Sequence, residues 1–362
     1  MLPNVLRQRA EIQYQQELEA LAKADTKSRP DNWRLSPRAV VDFVIGAKRD
    51  GLEISPKYVG SRQLIEVAVA TLVTDRALLL VGTPGTAKTW VSELLAAAIC
   101  GDSSLLVQGT AGTDESAVRY GWNYARLIAE GPKPESMVAS PVLRAMESGK
   151  IARLEEITRI PGEIQDSLIT TLSEKVISIP ELGSEVAAIR GFNVIATAND
   201  RDKGVHDLSH ALRRRFNTVH LPLPATLEEE VKIVSDRVIE RNGPVAEKTI
   251  LGSEGEINRI LLIFRELREG KTADGKVKLK SPSATLSTAE AIGVVESSLA
   301  MATHFGDGTF TPTILAQALY GSIVRDQSQD STIWLEYLET VMKTRTAFGK
   351  LYTACIEDLK NH

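Results

Sequence analysis

Residues 77–89 read Ala-Leu-Leu-Leu-Val-Gly-Thr-Pro-Gly-Thr-Ala-Lys-Thr, and this stretch decides the fold. An apolar run typical of a buried strand leads into a glycine-rich turn, and a helical pattern follows over residues 90–99. Such a turn directs backbone N–H groups and the positive end of a helix dipole at a polyphosphate. It departs from the strict G-x-x-x-x-G-K-[ST] pattern at Ala87. We expect a negative φ there, because a left-handed conformation destabilises alanine but not glycine.

The same turn supplies the candidate contacts to a nucleotide. Lys88 is expected to neutralise the β- and γ-phosphate oxygens, and the Thr89 hydroxyl is expected to ligate Mg²⁺. The candidate nucleotide contacts along the turn and the first helical position are Gly82, Thr83, Pro84, Gly85, Thr86, Ala87, Lys88, Thr89 and Trp90.

Length and composition exclude several classes of protein. A chain of 362 residues favours two or three domains, and the formal net charge of −4, with scattered Lys and Arg, argues against a surface that coats nucleic acid. Cys100 and Cys355 match no metal or redox spacing, so we expect free thiols in a reducing compartment. The N-terminus lacks a signal-peptide core and no apolar stretch reaches the length of a membrane span, so the expected location is the cytoplasm.

The pattern along the chain predicts an α/β core followed by helices. We expect a helical extension over residues 1–36 with a polar helix at 3–24, an α/β nucleotide-binding core over 37–225, and an all-helical lid with C-terminal helices over 226–362. A helix should begin at Ser36-Pro37 and stop at 50–51. Two stretches, 113–140 and 175–189, interrupt the alternation of strands and helices and are expected to be insertions. The strand candidates are 77–81, 105–108, 151–155, 194–197 and 218–221.

Polar side chains follow two of these strands. Glu155 and Glu156 lie at the end of strand 151–155, where open α/β sheets bind ligands. Glu155 is expected to serve Mg²⁺ in its outer sphere and Glu156 to polarise an attacking water. Asn199, after the strand at 194–197, would face the γ-phosphate. The alternative is a solvated acidic turn and an ordinary turn residue.

In this order the segments resemble an AAA+ ATPase of the MoxR group, in the clade that carries a helix-two insert and a hairpin before the first sensor. The resemblance covers about residues 37–300. Residues 82–89 match its Walker A loop, and Glu-Glu-Ile-Thr-Arg at 155–159 matches its Walker B run. Asn199 matches sensor 1, and Arg215 matches the arginine finger inserted into a neighbouring subunit. The segment that contacts adenine in the family corresponds to Tyr58, Val59 and Gly60.

The resemblance implies a parallel five-stranded AAA+ P-loop core with a helical lid, Mg²⁺-dependent hydrolysis of ATP, and a homohexameric ring. It also implies a protein client and a separate partner with a von Willebrand A domain. Two departures matter. Glu155 replaces the family's Asp, which lengthens the reach to the metal and could slow hydrolysis. Ser283 follows Ser281-Pro282 where the sensor 2 arginine usually stands, so we assign no sensor 2.

Two other functions remain open. The chain could be an ATP-binding assembly switch or scaffold with negligible turnover, which Glu155 and the missing sensor 2 suggest. It could also be a DNA-associated NTPase, although the net negative charge weighs against nucleic acid as a partner. Tyr120, Trp122 and Tyr124 in the first insertion are candidates for client contact. Packing of these rings on their own sheet is the alternative.

Overall fold

The computed structural model of the protein describes residues 5–49, 51–199 and 207–360. The chain divides into two compact units, the first holding residues up to 83 and 87–222, the second holding 84–86 and the residues from 223 onward. Apolar side chains form two buried clusters in the first unit and one in the second. Each unit therefore has a hydrophobic core of its own.

A five-stranded sheet forms the centre of the first unit. Its strands are β1 (Ala77–Gly82), β2 (Leu106–Gln108), β3 (Ile151–Glu155), β4 (Asn193–Asn199) and β5 (Phe216–His220). Their order is β5-β1-β4-β3-β2, and all four pairings are parallel. Apart from the half-buried Val81, the apolar side chains of β1, β3 and β4 are buried, as expected for strands covered on both faces. The expected parallel five-stranded P-loop sheet is confirmed.

Helices separate the strands of the first unit. One of the two longest, the P-loop helix (Lys88–Cys100), follows β1 directly. The other helices of this unit are Ala10–Gln13, Gln15–Ala24, Pro37–Ile45, Arg62–Val73, Glu115–Val118, Tyr124–Glu130, Pro141–Ser148, Gly162–Glu174 and His210–Arg213, with 3-10 turns at Pro134–Ser136, Ile157–Arg159 and Pro180–Leu182.

Near the N-terminus the structure differs from two expectations. A single helix was expected over 3–24, of which residues 3 and 4 lie outside the described residues. From residue 5 onward, the helix begins at Ala10 and is interrupted at Tyr14, whose ring makes edge contacts with Phe43 and Trp90. The helix that Ser36 caps ends at Ile45 rather than at 50–51. The chain turns at Gly46, where φ is 88° and an added Cβ would lie 2.9 Å from the nitrogen of Pro56. A short hairpin, Ala47–Arg49 with Leu52–Ile54, follows.

Both predicted insertions form antiparallel hairpins outside the five-stranded sheet. Tyr120–Trp122 pairs with Met137–Ala139, and Val176–Ile179 pairs with Ser184–Ala187. The two hairpins contact each other. The Tyr120 hydroxyl donates to Glu181 Oε2 at 2.9 Å, and Arg119 Nη2 donates to the Ser178 carbonyl at 2.7 Å.

The described part of the second unit is helical, as expected from residue 226 onward. Its helices are Leu227–Asn242, Pro244–Leu251, Glu254–Glu269, Thr288–Phe305, Pro312–Ile323, Gln327–Thr340 and Gly349–Leu359, with 3-10 turns at Met342–Thr344 and Thr346–Phe348. Trp334 and Tyr337 stack in the core with ring centroids 5.8 Å apart. The buried Glu266 joins this core to the C-terminal region, since it accepts hydrogen bonds from Tyr337 and from both terminal nitrogens of Arg345.

Candidate functional site

The parallel register gathers the predicted site residues at one edge of the sheet. Asn199, the last residue of β4, is paired with Gly82, the first residue of the loop. Glu155 ends β3 and is paired with Gln108 on β2. Because these strands run parallel, their carboxyl ends lie side by side. The loop, the two adjacent glutamates and Asn199 therefore share the edge where such sheets bind ligands.

The loop backbone is left-handed at Ala87, with φ of 61°. The expectation of a negative φ was wrong. Ala87 is the residue immediately before the P-loop helix, and the turn into that helix requires the conformation that glycine adopts without strain. The side chain is exposed, so its methyl group is not crowded in the interior. A left-handed alanine nevertheless costs about 1–2 kcal/mol, a strain typical of functional loops.

Lys88 folds back over this loop. Its Nζ donates to the carbonyl oxygens of Gly82 at 2.8 Å and Thr83 at 2.9 Å, and the residue is buried. The positive charge therefore lies beside the first residues of the turn, the position that the expected contact with phosphate oxygens requires.

The structure brings together the two predicted metal residues. Thr89 Oγ1 donates to Glu155 Oε2 at 2.9 Å, so a hydroxyl and a carboxylate meet at the start of the P-loop helix. Oxygen ligands of this kind suit Mg²⁺, which usually binds through one or two protein groups together with substrate phosphates and water. The donor set of Thr89 and Glu155 therefore fits the metal that the sequence predicts.

Glu155 is held more tightly than its sequence position suggested. It is 1% exposed, and each carboxylate oxygen accepts two hydrogen bonds. Oε2 accepts from Thr89 and, at 2.7 Å, from Thr197 Oγ1. Oε1 accepts from Ser92 Oγ and, at 2.9 Å, from Arg153 Nη2. A carboxylate offers about four acceptor positions, so all of them are filled by this chain.

Arg153 was missed by the sequence reasoning. Its side chain is 3% exposed and forms an ion pair with Glu155. Further hydrogen bonds run from Nε to Ser92 Oγ at 3.0 Å, from Nη1 to the Ser103 carbonyl at 3.0 Å and from Nη2 to the Thr89 carbonyl at 3.1 Å. One signal could have revealed it. A charged residue inside a buried strand, two positions before Glu155, must share a face with that glutamate and needs a partner.

Glu156 adopts a left-handed backbone conformation with φ of 53°. Its side chain is 34% exposed, and Oε2 lies 2.6 Å from Nε of Arg159. The backbone N–H of Glu156 donates to Thr197 Oγ1 at 3.0 Å. Thr197, which the sequence reasoning also missed, therefore links the two glutamates. A strained backbone at this position is typical of an active site.

The side chain of Arg215 is held by two residues of the first unit. Its Nε donates to Ser173 Oγ at 2.8 Å and its Nη1 to the Ala211 carbonyl at 2.6 Å. Within residues 5–49, 51–199 and 207–360, Arg215 makes no hydrogen bond to the loop 82–89 or to either glutamate. The structure of one chain thus leaves Arg215 outside the group of residues at the sheet edge.

The residue that precedes the predicted adenine segment is bonded to the P-loop helix. Tyr58 is buried, which raises the pKa of its hydroxyl, and Val59 is half-buried. The Tyr58 ring covers Gly60 so closely that an added Cβ would lie 2.6 Å from Cε1. Trp90 Nε1 donates to the Lys57 carbonyl at 3.1 Å. The fold therefore brings Trp90 to the segment that includes Tyr58, Val59 and Gly60.

The N-terminal segment supports the same region. Glu17 Oε2 lies 2.5 Å from Nζ of Lys57, whose ammonium also lies over the rings of Phe43 and Tyr14. Cation–π contacts of this kind stabilise a desolvated ammonium. The sequence alone did not indicate which surface the N-terminal helix covers. The structure shows that it packs on the first unit.

No helix begins where the family's lid helix carries sensor 2. Residues 281–287 form a loop, and the next helix starts at Thr288 after the capping residue Ser287. Ser283 donates through its backbone N–H at 2.8 Å and its hydroxyl at 2.6 Å to Asp330. Burial alone would raise the pKa of Asp330, but these bonds and the N–H groups of Asp326 and Arg325 lower it. Ser283 therefore serves the structure of the second unit.

Two known protein families match the chain, one in each part. The AAA domain of the dynein-related subfamily matches residues 77–216, and the C-terminal domain of YehL-like AAA+ ATPases matches residues 228–361. The chain is 38% identical over 341 residues to the uncharacterized protein YehL of Escherichia coli, with 92% of each chain covered. An uncharacterized Staphylococcus aureus protein is 28% identical over 181 residues, which cover 48% of this chain and 68% of that protein.

A solved structure gives a further comparison. The crystal structure of NtrX from Brucella abortus in complex with ADP superimposes with a TM-score of 0.47 at 15% identity, covering 84% of this chain and 69% of NtrX. Among the helices of the described residues, none is both long and apolar enough to span a membrane.

Proposed function

This chain belongs to the YehL-like AAA+ ATPases, and from that membership we propose that it hydrolyses ATP with Mg²⁺ to remodel or activate a protein client, as a member of the MoxR clade. In this proposal residues 37–225 are the catalytic core, residues 226–362 are its lid, and residues 1–36 are an extension. One observation carries the proposal: the Thr89 hydroxyl meets the Glu155 carboxylate, 2.9 Å away, at the edge where Lys88, Glu156 and Asn199 also lie.

Each of these side chains has a task that its position suits. Lys88 binds phosphate oxygens, and Thr89 with Glu155 holds the metal and its water. Glu156 orients the attacking water, and the Asn199 amide contacts the γ-phosphate. When bound, Mg²⁺ would supply positive charge to the β- and γ-phosphate oxygens.

Assembly completes the site in this proposal. Arg215 lies apart from the other candidate residues of its own chain, which suits an arginine finger that serves a neighbouring subunit. We therefore propose a homohexameric ring with ATP at the subunit interfaces. A protein with a von Willebrand A domain is the proposed partner, and Tyr120, Trp122 and Tyr124 are the proposed client contacts. Tyr124 suits this role best, because it is 74% exposed.

Steady-state ATP hydrolysis at several protein concentrations tests the proposal. Turnover per chain should rise with concentration and should be lost in Glu156→Gln. Mixing Arg215→Ala with Glu156→Gln should restore part of the activity, because some interfaces in a mixed ring then carry one intact finger and one intact glutamate. Wild-type protein that binds ATP but turns it over no faster than Glu156→Gln would contradict the proposal.

The same assay separates a second candidate, the ATP-driven assembly switch. The observation that favours it is the saturation of both Glu155 oxygens by hydrogen bonds from this chain. A switch would assemble on ATP, as followed by light scattering, with the same low turnover in wild type and in Glu156→Gln.

A further inference from the structure

The metal-site carboxylate already has a positive charge beside it. Arg153 Nη2 lies 2.9 Å from Glu155 Oε1, and the two side chains are 3% and 1% exposed. Arginine carries a delocalised positive charge on a planar guanidinium group, which suits buried ion pairs. Because these opposite charges lie so close together, their potentials largely cancel at more distant groups. The pair is buried, so water and salt do little to screen the attraction between Arg153 and Glu155.

Arg153 is fixed in this place by the rest of the chain. Its Nη1 donates to the carbonyl of Ser103, which follows the P-loop helix, and its Nη2 donates to the carbonyl of Thr89. Its Nε donates to Ser92 Oγ, which in turn donates to Glu155. Arg153 therefore cannot swing away without breaking several buried hydrogen bonds.

The two oxygens of Glu155 face different partners. Oε1 is bound by Arg153 and Ser92. Oε2 is bound by the hydroxyls of Thr89 and Thr197, which can rotate. One oxygen of Glu155 is thus committed to Arg153, and the other lies beside Thr89, the residue expected to ligate Mg²⁺.

We propose that Arg153 is a positioning residue that serves as a built-in counter-ion of the metal site, so that nucleotide binding by this chain depends only weakly on Mg²⁺. The inference rests on the proposed role of Glu155 at the metal. With Arg153 in place, a nucleoside diphosphate meets a site in which the charge of the Glu155 carboxylate is already neutralised. Without Arg153, the uncompensated carboxylate repels the phosphates, and Mg²⁺ has to supply the missing charge.

The test is the Mg²⁺ ratio, defined as the dissociation constant of fluorescent N-methylanthraniloyl-ADP in EDTA divided by that in Mg²⁺. The summed charge of positions 153 and 155 should set this ratio. Arg153→Met should raise it roughly tenfold, and Glu155→Gln should lower it. The double variant Arg153→Met/Glu155→Gln should have the wild-type ratio, because the summed charge is again zero. Arg153→Lys keeps the positive charge and should also have the wild-type ratio. Arg144→Met, which removes an exposed arginine, is the control and should leave it unchanged.

The double variant keeps the test decisive if Arg153→Met fails to fold, because an uncharged pair of similar volume is usually tolerated where a lone buried charge is not. Equal ratios in Glu155→Gln and in the double variant would overturn the inference, since the charge of Arg153 would then have no effect. Failure of the wild-type protein to bind the ADP probe with or without Mg²⁺ would instead overturn the proposed function.

Discussion

The carboxylate of Glu93, on the P-loop helix, accepts a hydrogen bond from the backbone N–H of Ala10 at the start of the N-terminal helix, at 3.1 Å. Arg7 contacts the other oxygen of Glu93 at 2.5 Å. Ala10 is fully buried and Glu93 nearly so. The extension therefore belongs to the hydrophobic core that supports the P-loop helix, and Glu93 is one of the residues that attach it.

Glu93→Gln should loosen this attachment. The amide keeps the shape of the side chain but loses the charge that strengthens both contacts, so we expect the free energy of unfolding to fall by about 1–2 kcal/mol. Urea denaturation measures the loss, and limited proteolysis should cut the N-terminal segment faster. Glu19→Gln on the exposed face of the same segment is the control. Equal stability of the two variants would contradict the prediction.

Ala87→Gly should stabilise the protein. Glycine removes the left-handed strain of about 1–2 kcal/mol but adds entropy to the unfolded chain, so the net gain should be about 0.5–1 kcal/mol. The denaturation midpoint measures it. Ala70→Gly, on the exposed face of the helix Arg62–Val73, should instead lose about 1 kcal/mol. A loss at both positions would show that Ala87 is not strained.

Gly60→Ala should weaken nucleotide binding. The new methyl group would displace the Tyr58 ring, because its Cβ would lie 2.6 Å from that ring. We expect the dissociation constant of a fluorescent ATP analogue to rise roughly tenfold and the stability to fall by about 1–3 kcal/mol. Gly162→Ala meets no atom within 4 Å and provides the control. Unchanged affinity in Gly60→Ala would remove Tyr58 from the candidate site.

Asp102 should make the free energy of unfolding depend on pH in the acid range. Burial alone would raise the pKa of Asp102, but hydrogen bonds from Ser104 and Lys150 lower it to about 2. Because the folded pKa lies below the unfolded one, the stabilisation is present above about pH 4 and is lost as the pH falls towards 2. Lys150 is partly exposed, so solvent screening limits the effect to ~1 kcal/mol. Urea midpoints between these pH values should fall less steeply in Asp102→Asn, and an unchanged slope would count against the assignment.

The sequence predicted those features that depend on long apolar runs. The strand predicted over 77–81 is observed at Ala77–Gly82, because five consecutive apolar residues followed by a glycine leave little choice of boundary. The hairpin at Ala47–Arg49 escaped notice, since three-residue strands show no periodicity. The loop was recognised, but the predicted backbone conformation at Ala87 was wrong. The sequence does not reveal that this turn requires a left-handed residue even where that residue is alanine.

The sequence predicted the candidate site residues themselves but not the residues that support them. Lys88, Thr89, Glu155 and Glu156 follow from strand ends and a motif. The residues that hold Glu155 lie on three different elements, namely Ser92 on the P-loop helix, Arg153 on β3 and Thr197 on β4. Such a network arises from tertiary contacts, and only the buried charge of Arg153 leaves a trace of it in the sequence.

The contact between the two inserted hairpins has a consequence for how the sequence can evolve. Tyr120 and Glu181 are 61 positions apart, yet they share a hydrogen bond. By contrast, Arg119 reaches a backbone carbonyl, that of Ser178, which any residue there would provide. Among relatives that keep both hairpins, the residues at positions 120 and 181 should therefore covary. Position 178 should vary without regard to side chain, even where the arginine at position 119 is kept.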